Sequence, residues 1–450
     1  MYLRNTRTSS SMSKPPAKKS KSVPGFEHVS SYRGLQRYRL RRNGLTLLYM
    51  RRPGTGVVTS NILYKVGARD EQFGQTGLAH MLEHMLFKPT EADQAAGIDS
   101  GAMQFERETG ILLNANTAKD RTTYYFCYPT EHLDRALQIE AERMRSVLLT
   151  DEQFQPERGN VLSEFDMYFG DPYFALELEM RAAAFMNHPY GHETIGWRSD
   201  IEQYTIEKLR AFYDTYYWPN NAVLMIVGDI EESVALRSVK RHFGDIEASP
   251  TEIPRHQISE QPQTGRREVR VHRDTSIALT GIGFKHAAFP TRDWFGAYVL
   301  MEVLAGGPES LLHQELIDTG LATEVTTMIE PTAEENLGIL FIEASEKGRE
   351  YDFEAHVQKT LQKLKPSYIN RQLPKIVEHE IRAETSALET SMGMVRELVE
   401  YESVGDVHAL FKTNTILRSF TGADIVSLAN TLFTPEHLTI GYVSKKPSRS

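Results

Sequence analysis

Apolar and polar positions alternate through Leu45-Thr46-Leu47-Leu48-Tyr49 and again through residues 57–64, which predicts two strands. A helical pattern starts near Thr76 and is stopped by Pro89. Two further strands are predicted over residues 111–117 and 122–128. Helical spacing then dominates from Glu131 to Tyr217, and a strand over residues 222–227 ends this half. Residues 247–265 hold three prolines, many polar residues and little periodicity, so they read as a linker.

The second half repeats the order, with strands at 268–271 and 277–284, helices, a strand near 338–343 and a long helical run. Its ending echoes that of the first half. Thr205-Ile-Glu-Lys-Leu is followed, fourteen positions on, by Pro219 and then by the apolar run Val223-Leu-Met-Ile-Val-Gly228. Thr421-Gly-Ala-Asp-Ile is followed at the same distance by Pro435 and then by Leu438-Thr-Ile-Gly-Tyr-Val443. A shared helix–proline–strand unit at equal spacing points to an internal duplication. The expected fold is therefore α+β: two similar domains, each a mostly antiparallel sheet flanked by helices. Their expected limits are residues 31–246 and 266–450, behind a disordered basic tail over residues 1–30.

The chain's 450 residues are too many for one ordinary core, which agrees with two domains. The tail carries Arg4, Arg7, Lys14, Lys18, Lys19 and Lys21, with no acid before Glu27. It has no amphipathic helical pattern, so it reads as a solvated segment rather than an address signal. A formal net charge of −9 argues against nucleic acid as the main partner. No apolar run approaches the roughly 20 residues of a membrane span. The expectation is a soluble chain that stays inside its compartment, the cytoplasm, with the mitochondrial matrix as the alternative. The single cysteine, Cys127, excludes a disulfide framework and any cysteine-rich zinc site. A metal here has to be held by histidine and carboxylate.

His80-Met81-Leu82-Glu83-His84 offers such a site. On a helix the two histidines lie one turn apart on one face, within reach of a single zinc ion, and Glu83 projects beside them without ligating. Glu83 is then placed to accept a proton from water activated at the metal. Leu78, Met81, Leu82, Met85 and Leu86 form the opposite, apolar face. A catalytic zinc takes three protein ligands, so a third must come from elsewhere. Glu157 and Glu164, seven apart and so on one helical face, are candidates, but composition alone does not select them from the other acids. His188 and His192 are also four apart. Pro189 and Gly191 between them make a regular helix improbable, so they read as loop residues.

The run Gly67-Ala-Arg-Asp-Glu71, followed by Gly77-Leu-Ala-His-Met-Leu-Glu-His-Met-Leu-Phe-Lys88, resembles the inverted-zincin signature of the pitrilysin family. Asn114-Ala-Asn-Thr117 with Asp120, Thr122 and Tyr124 is similar to that family's Asn-Ala-x-Thr strand. His188-Pro-Tyr-Gly191 and Tyr217-Trp-Pro-Asn-Asn resemble its later segments. The resemblance implies a zinc endopeptidase with one Zn2+ per chain. It makes His80, His84 and Glu164 the ligands, Glu83 the general base and Glu157 the support of the metal shell. It also makes Asn114, Ala115, Asn116 and Thr117 an exposed edge strand that binds extended peptide substrate by strand addition.

The second half contains no His-x-x-Glu-His, so only the first domain is expected to be catalytic. Relatives carry an arginine and a tyrosine in the second half that hold the substrate and polarise its carbonyl. Here Ile317 and Thr323 stand at those places. Neither is a charged donor, so a heterodimer with a related subunit carrying the arginine–tyrosine pair is expected ahead of a homodimer. The alternative of another class is a non-proteolytic structural subunit of a larger complex.

Overall fold

The computed structural model describes residues 23–255 and 258–445. The first sheet is built from β1 (Phe26–Tyr32), β2 (Leu35–Leu40), β3 (Thr46–Arg51), β4 (Val57–Tyr64), β5 (Leu112–Thr117), β6 (Thr122–Pro129) and β7 (Ala222–Gly228). Their spatial order is β1-β2-β3-β7-β4-β6-β5. The second sheet holds β8 (Arg267–Arg273), β9 (Leu279–His286), β10 (Ala322–Met328), β11 (Asn336–Ala344) and β12 (Thr439–Lys445), in the order β10-β11-β9-β12-β8. Within each sheet one pair is parallel, β3 with β7 and β8 with β12, and the remaining pairs are antiparallel.

Counted within their halves, β3–β7 and β8–β12 follow one spatial order: first, fifth, second, fourth, third. That identity of topology is the duplication which the helix–proline–strand echo predicts, and the α+β expectation holds. The helices used below are α1 (Leu78–Met85), α2 (Asp151–Gly170), α3 (Pro172–Ala184), α4 (Ile206–Tyr216), α5 (Arg292–Ala305), α6 (Pro366–Ala387), α7 (Ser391–Ser403) and α8 (Gly422–Leu432). α1 and α5 fall at equivalent places, each between the second and third strand of its half. α4 and α8 are the helices of the repeated ending.

The basic tail is shorter than expected at its C-terminal end. β1 starts at Phe26, pairs with β2 and buries Phe26 against Tyr38, ring centroids 6.2 Å apart. Pairing with β2 orders a segment whose own polar composition signals no structure. Residues 1–22 of the expected tail lie outside the described residues. The stretch between 247 and 265 has no helix or strand among its described residues. It is nonetheless held, because Glu260 accepts the backbone N–H groups of Met186, Asn187 and His188 at 2.8, 3.1 and 3.0 Å.

Each half lends a helix to the other's sheet. α3 packs on the second sheet, with Leu176, Met180 and Ala184 against Leu279, Leu337, Ile339 and Val443. The approach is close because Gly281 and Gly441 lack side chains: a Cβ at either would lie 2.6 Å from Met180 Sδ. In the reciprocal contact α7 covers β4 and β7, and Leu63, Val223 and Met225 join the second core. The apolar run of β7, buried throughout, is thereby explained: one face meets the core beneath α1 and the other meets α7.

Candidate metal centre

α1 is short, and its position is fixed at its N-terminus. Gly77 takes a left-handed conformation, φ 91°, where a Cβ would collide with the Ile195 carbonyl and the Tyr204 hydroxyl. The Glu71 carboxylate accepts the N–H groups of Gly77 and Ala79, both at 2.7 Å, satisfying donors the first turn leaves free. Leu78, Ala79, Met81, Leu82 and Met85 are buried in the first core. His80, Glu83 and His84 therefore project from the other face.

Across from them runs α2, anchored by Phe154, Val161 and Phe165. It carries Glu157 and Glu164 on the side facing α1. His80 Nε2 and His84 Nε2 lie 3.3 Å apart, and Glu164 Oε2 is 3.8 Å from the first and 3.6 Å from the second. Among the described residues these three form the group able to hold a metal ion. A tetrahedral zinc with bonds of about 2.0–2.1 Å separates its ligand atoms by about 3.3 Å, so the triangle matches one face of such a site. The donor set of two imidazoles and a carboxylate suits zinc, and it leaves the fourth position to the cleft. The ring orientations agree. His84 Nδ1–H donates to Glu157 Oε1 at 2.9 Å, which turns the Nε2 lone pair toward His80 and Glu164.

Electrostatics prepares the same arrangement. Burial, then the neighbouring His84, lowers the His80 pKa to about 3, so this imidazole is neutral and its lone pair is free. Glu157 is lowered to about 2 by its bond from His84 and by Lys88, whose Nζ lies 2.6 Å from Oε2. Glu157 is thus a fixed anion that orients His84. Burial opposes a charge on His84, but the hydrogen bond to Glu157 and the nearby Glu83 and Glu164 outweigh it and raise its pKa. Glu83 is raised by burial, against the hydrogen bond it accepts from the Thr117 hydroxyl. A carboxylate whose pKa rises becomes a better proton acceptor.

Asn114, Ala115, Asn116 and Thr117 lie on β5, which is an edge strand paired only with β6. Ala115, Asn116 and Thr117 line one cleft together with His80, Glu83 and Glu164. That cleft is completed by Tyr168, Phe174 and Glu193–Ile195, residues the sequence reading did not select. Tyr168 was within reach, since it follows Glu164 by four on the same helix face. Phe174 comes from the first turn of α3 and the 193–195 segment from the loop beyond that helix, and no spacing rule joins them to α1. His188 and His192 do not converge: His188 Nε2 meets Glu334 at 2.9 Å, while His192 Nδ1 donates to the Glu193 carbonyl at 3.0 Å.

Two family models match this chain. One, described as insulinase (peptidase family M16), covers residues 46–197, and the other, described as the peptidase M16 inactive domain, covers residues 203–372. The chain belongs to the pitrilysin-like peptidase family M16. The first match contains His80, His84 and Glu164, and the inactive-domain match starts beyond them, taking in the end of the first half and much of the second. The chain is 29% identical over 413 residues to zinc protease PqqE of Helicobacter pylori, covering 90% of this chain and 92% of that protein. Among solved structures it resembles a protease from Helicobacter pylori, with TM-score 0.84, 27% identity, and coverage of 94% of this chain and 100% of the other. It also shares the fold of a peptidase M16 inactive domain from Pseudomonas fluorescens, with TM-score 0.80 at 15% identity, covering 92% and 99%.

Proposed function

We propose that this chain is the catalytic subunit of a zinc-dependent endopeptidase, with His80, His84 and Glu164 as the metal ligands. The observation that carries the reading is the triangle of His80 Nε2, His84 Nε2 and Glu164 Oε2, which matches a face of tetrahedral zinc beside an edge strand. Zinc bound there supplies a Lewis acid that lowers the pKa of water and polarises a peptide carbonyl.

The protein's own groups do the rest. β5 receives an extended peptide through backbone hydrogen bonds, which need little of its sequence and hold the scissile bond over α1. Glu83 accepts the proton of the attacking water at its carboxylate and returns it to the leaving amine. The Thr117 hydroxyl, donating to Glu83, fixes the carboxylate between strand and metal site. Glu157 holds His84 in the ligating tautomer. The test is direct: the purified chain should contain zinc near one per chain and cleave unstructured peptides. Chelation should abolish cleavage and added zinc restore it. Metal-replete protein with no peptidase activity, alone or with a second subunit, would leave the structural-subunit reading in its place.

The second subunit belongs to the same proposal. Ile317 packs against the second core and the Thr323 hydroxyl donates to Glu343 at 2.8 Å, so neither offers a free donor to a substrate oxygen. A related chain carrying the arginine–tyrosine pair would supply that wall of a closed chamber. Such a donor is worth about 2.7–4 kcal/mol to the transition state, or roughly a hundredfold to a thousandfold in rate. The isolated chain should bind zinc yet turn over slowly, and full activity as a monomer or homodimer would refute the heterodimer.

A further inference from the structure

A peptide paired to β5 sends alternate side chains to opposite faces of the sheet. On the α1 face they meet the metal cleft. On the other face they meet a second groove of about 420 Å³, lying between the end of the sheet and α7. Asn114 and Asn116 of β5, Thr123 and Tyr125 of β6, and Asn61 of β4 border it. The strand register sets Asn61, Tyr125 and Asn114 in one row and Asn116 opposite Thr123. Glu397 and Glu400 of α7 face them.

Two acceptors bordering this groove, Asn61 Oδ1 and the Glu397 carboxylate, are left without a partner among the described residues. Arg121 is committed: it donates to Asn116 Oδ1 at 2.7 Å and forms an ion pair with Glu400. Arg396 also borders the groove but is exposed, and adjacent helix positions do not face one another, so it does not cover Glu397. Asn61 is only 3% exposed, and its Oδ1 has no hydrogen-bond partner among the described residues. Glu397 likewise has no hydrogen bond or ion pair among them.

Glu397 and Glu400 also line a neighbouring cavity of about 370 Å³, walled by Trp294, Tyr298 and Tyr401. Glu380 and Glu384 of α6 complete it, and among the described residues no lysine or arginine lines it. Glu380 accepts the Tyr298 hydroxyl at 2.9 Å, whereas Glu384 has no partner among the described residues. Burial, then Glu397 beside it, pushes Glu384 up to about 7, and burial and Glu400 raise Glu397 as well. Half-buried carboxylates without a counter-ion are costly, and a cation among aromatic rings is favoured twice over.

We propose that this groove, with the aromatic cavity behind it, is a specificity subsite for a basic side chain, arginine or lysine, of the peptide laid along β5. The inference rests on the peptidase reading above and adds a substrate class to it. Arginine suits the site best, because its several donors can serve Asn61 Oδ1 and the Glu397 carboxylate together while its planar face stacks on an aromatic ring.

The experiment uses the full-length Glu83→Gln protein, in which turnover is expected to be at least about a hundredfold slower, and two matched sets of ten-residue peptides. One set carries a single arginine at each position in turn; the other carries citrulline, uncharged and nearly isosteric, at the same positions. Titration calorimetry should find a position at which arginine binds at least about tenfold tighter than citrulline, the worth of one charge-assisted hydrogen bond. Adding Glu384→Gln and Glu397→Gln together should bring that ratio to near one and leave the citrulline peptide's affinity unchanged. An arginine preference that survives both substitutions, no preference at any position, or no binding of any peptide would overturn the subsite. Cleavage of the citrulline peptides by unsubstituted protein scores the peptidase reading separately, so a failed subsite and a failed peptidase give different results.

Discussion

Glu83 and Glu157 are both carboxylates beside the same pair of imidazoles, yet their environments separate their roles. Glu83 is buried, with one hydroxyl donor and a raised pKa, so it is suited to taking up and releasing a proton. Glu157 sits between His84 and Lys88 and is lowered to about 2, so it stays ionised. Glu83→Gln should keep zinc near one per chain and lower peptide hydrolysis by at least about a hundredfold, read by metal analysis and initial rates. Glu157→Gln should do the converse. Zinc affinity, measured by competition with a chromogenic chelator, should fall about 10–100-fold as His84 loses its orienting partner. Of these residues, His80, Glu83 and His84 are legible from spacing alone, because one helical turn enforces their proximity. Glu157 and Glu164 are not, since nothing local to α2 says which helix it faces.

At the scale of elements, the metal site depends on where α1 begins. Gly77→Ala would place a Cβ against the Ile195 carbonyl and the Tyr204 hydroxyl, in a backbone conformation that disfavours any side chain. The expected outcome is a loss of about 1–3 kcal/mol in denaturant unfolding and a reduced zinc content, because the start of α1 has to move. The strands absent from the sequence reading share a physical trait. β1 and β10 are sheet edges, and β2 lies beside β1. β1 buries only Phe26 and β10 only Ala322, so neither needs the alternation that reveals a half-buried strand. β7 and β11, covered on both faces, carry nearly continuous apolar runs and are readily seen.

For the whole molecule, the exchange of α3 and α7 means that neither half has a self-contained core. Met180→Ala would open a cavity between α3 and the second sheet, and should cost about 2–5 kcal/mol. Chemical unfolding followed by signals from both halves should still give a single coincident transition, since each sheet is covered by the other half's helix. Stability should also depend on pH through two buried histidines. His286 donates Nδ1–H to the Ala287 carbonyl at 2.9 Å and is lowered to about 4, first by burial; His192 is lowered to about 4 by burial and Lys119. Each folded-state pKa is below the unfolded value of about 6.5, so between pH 6.5 and 4 the unfolded chain binds more protons than the native one. The stability these two histidines contribute is therefore full above about pH 6.5 and declines as the pH falls toward 4, by up to about 3 kcal/mol for each. His286→Gln should flatten this slope by up to one proton, as measured by urea unfolding across that range.

What the chain determined by itself is whatever local periodicity and short spacing can encode: the strand–helix order of each half, the duplication, the linker, and the three chemical residues of α1. Those features rest on contacts within one turn or one strand, and they can be read without knowing what lies across the fold. Tertiary structure decided the rest. It brought Glu164 to 3.6 and 3.8 Å from the histidines. It set β5 at the edge of the sheet, exchanged α3 for α7 between the halves, and left the Asn61 Oδ1 atom without a hydrogen-bond partner among the described residues on the far side of the sheet. Each of these depends on residues far apart in the chain, where the hydrophobic effect rewards burial without specifying a partner and only the packed core fixes which surfaces meet.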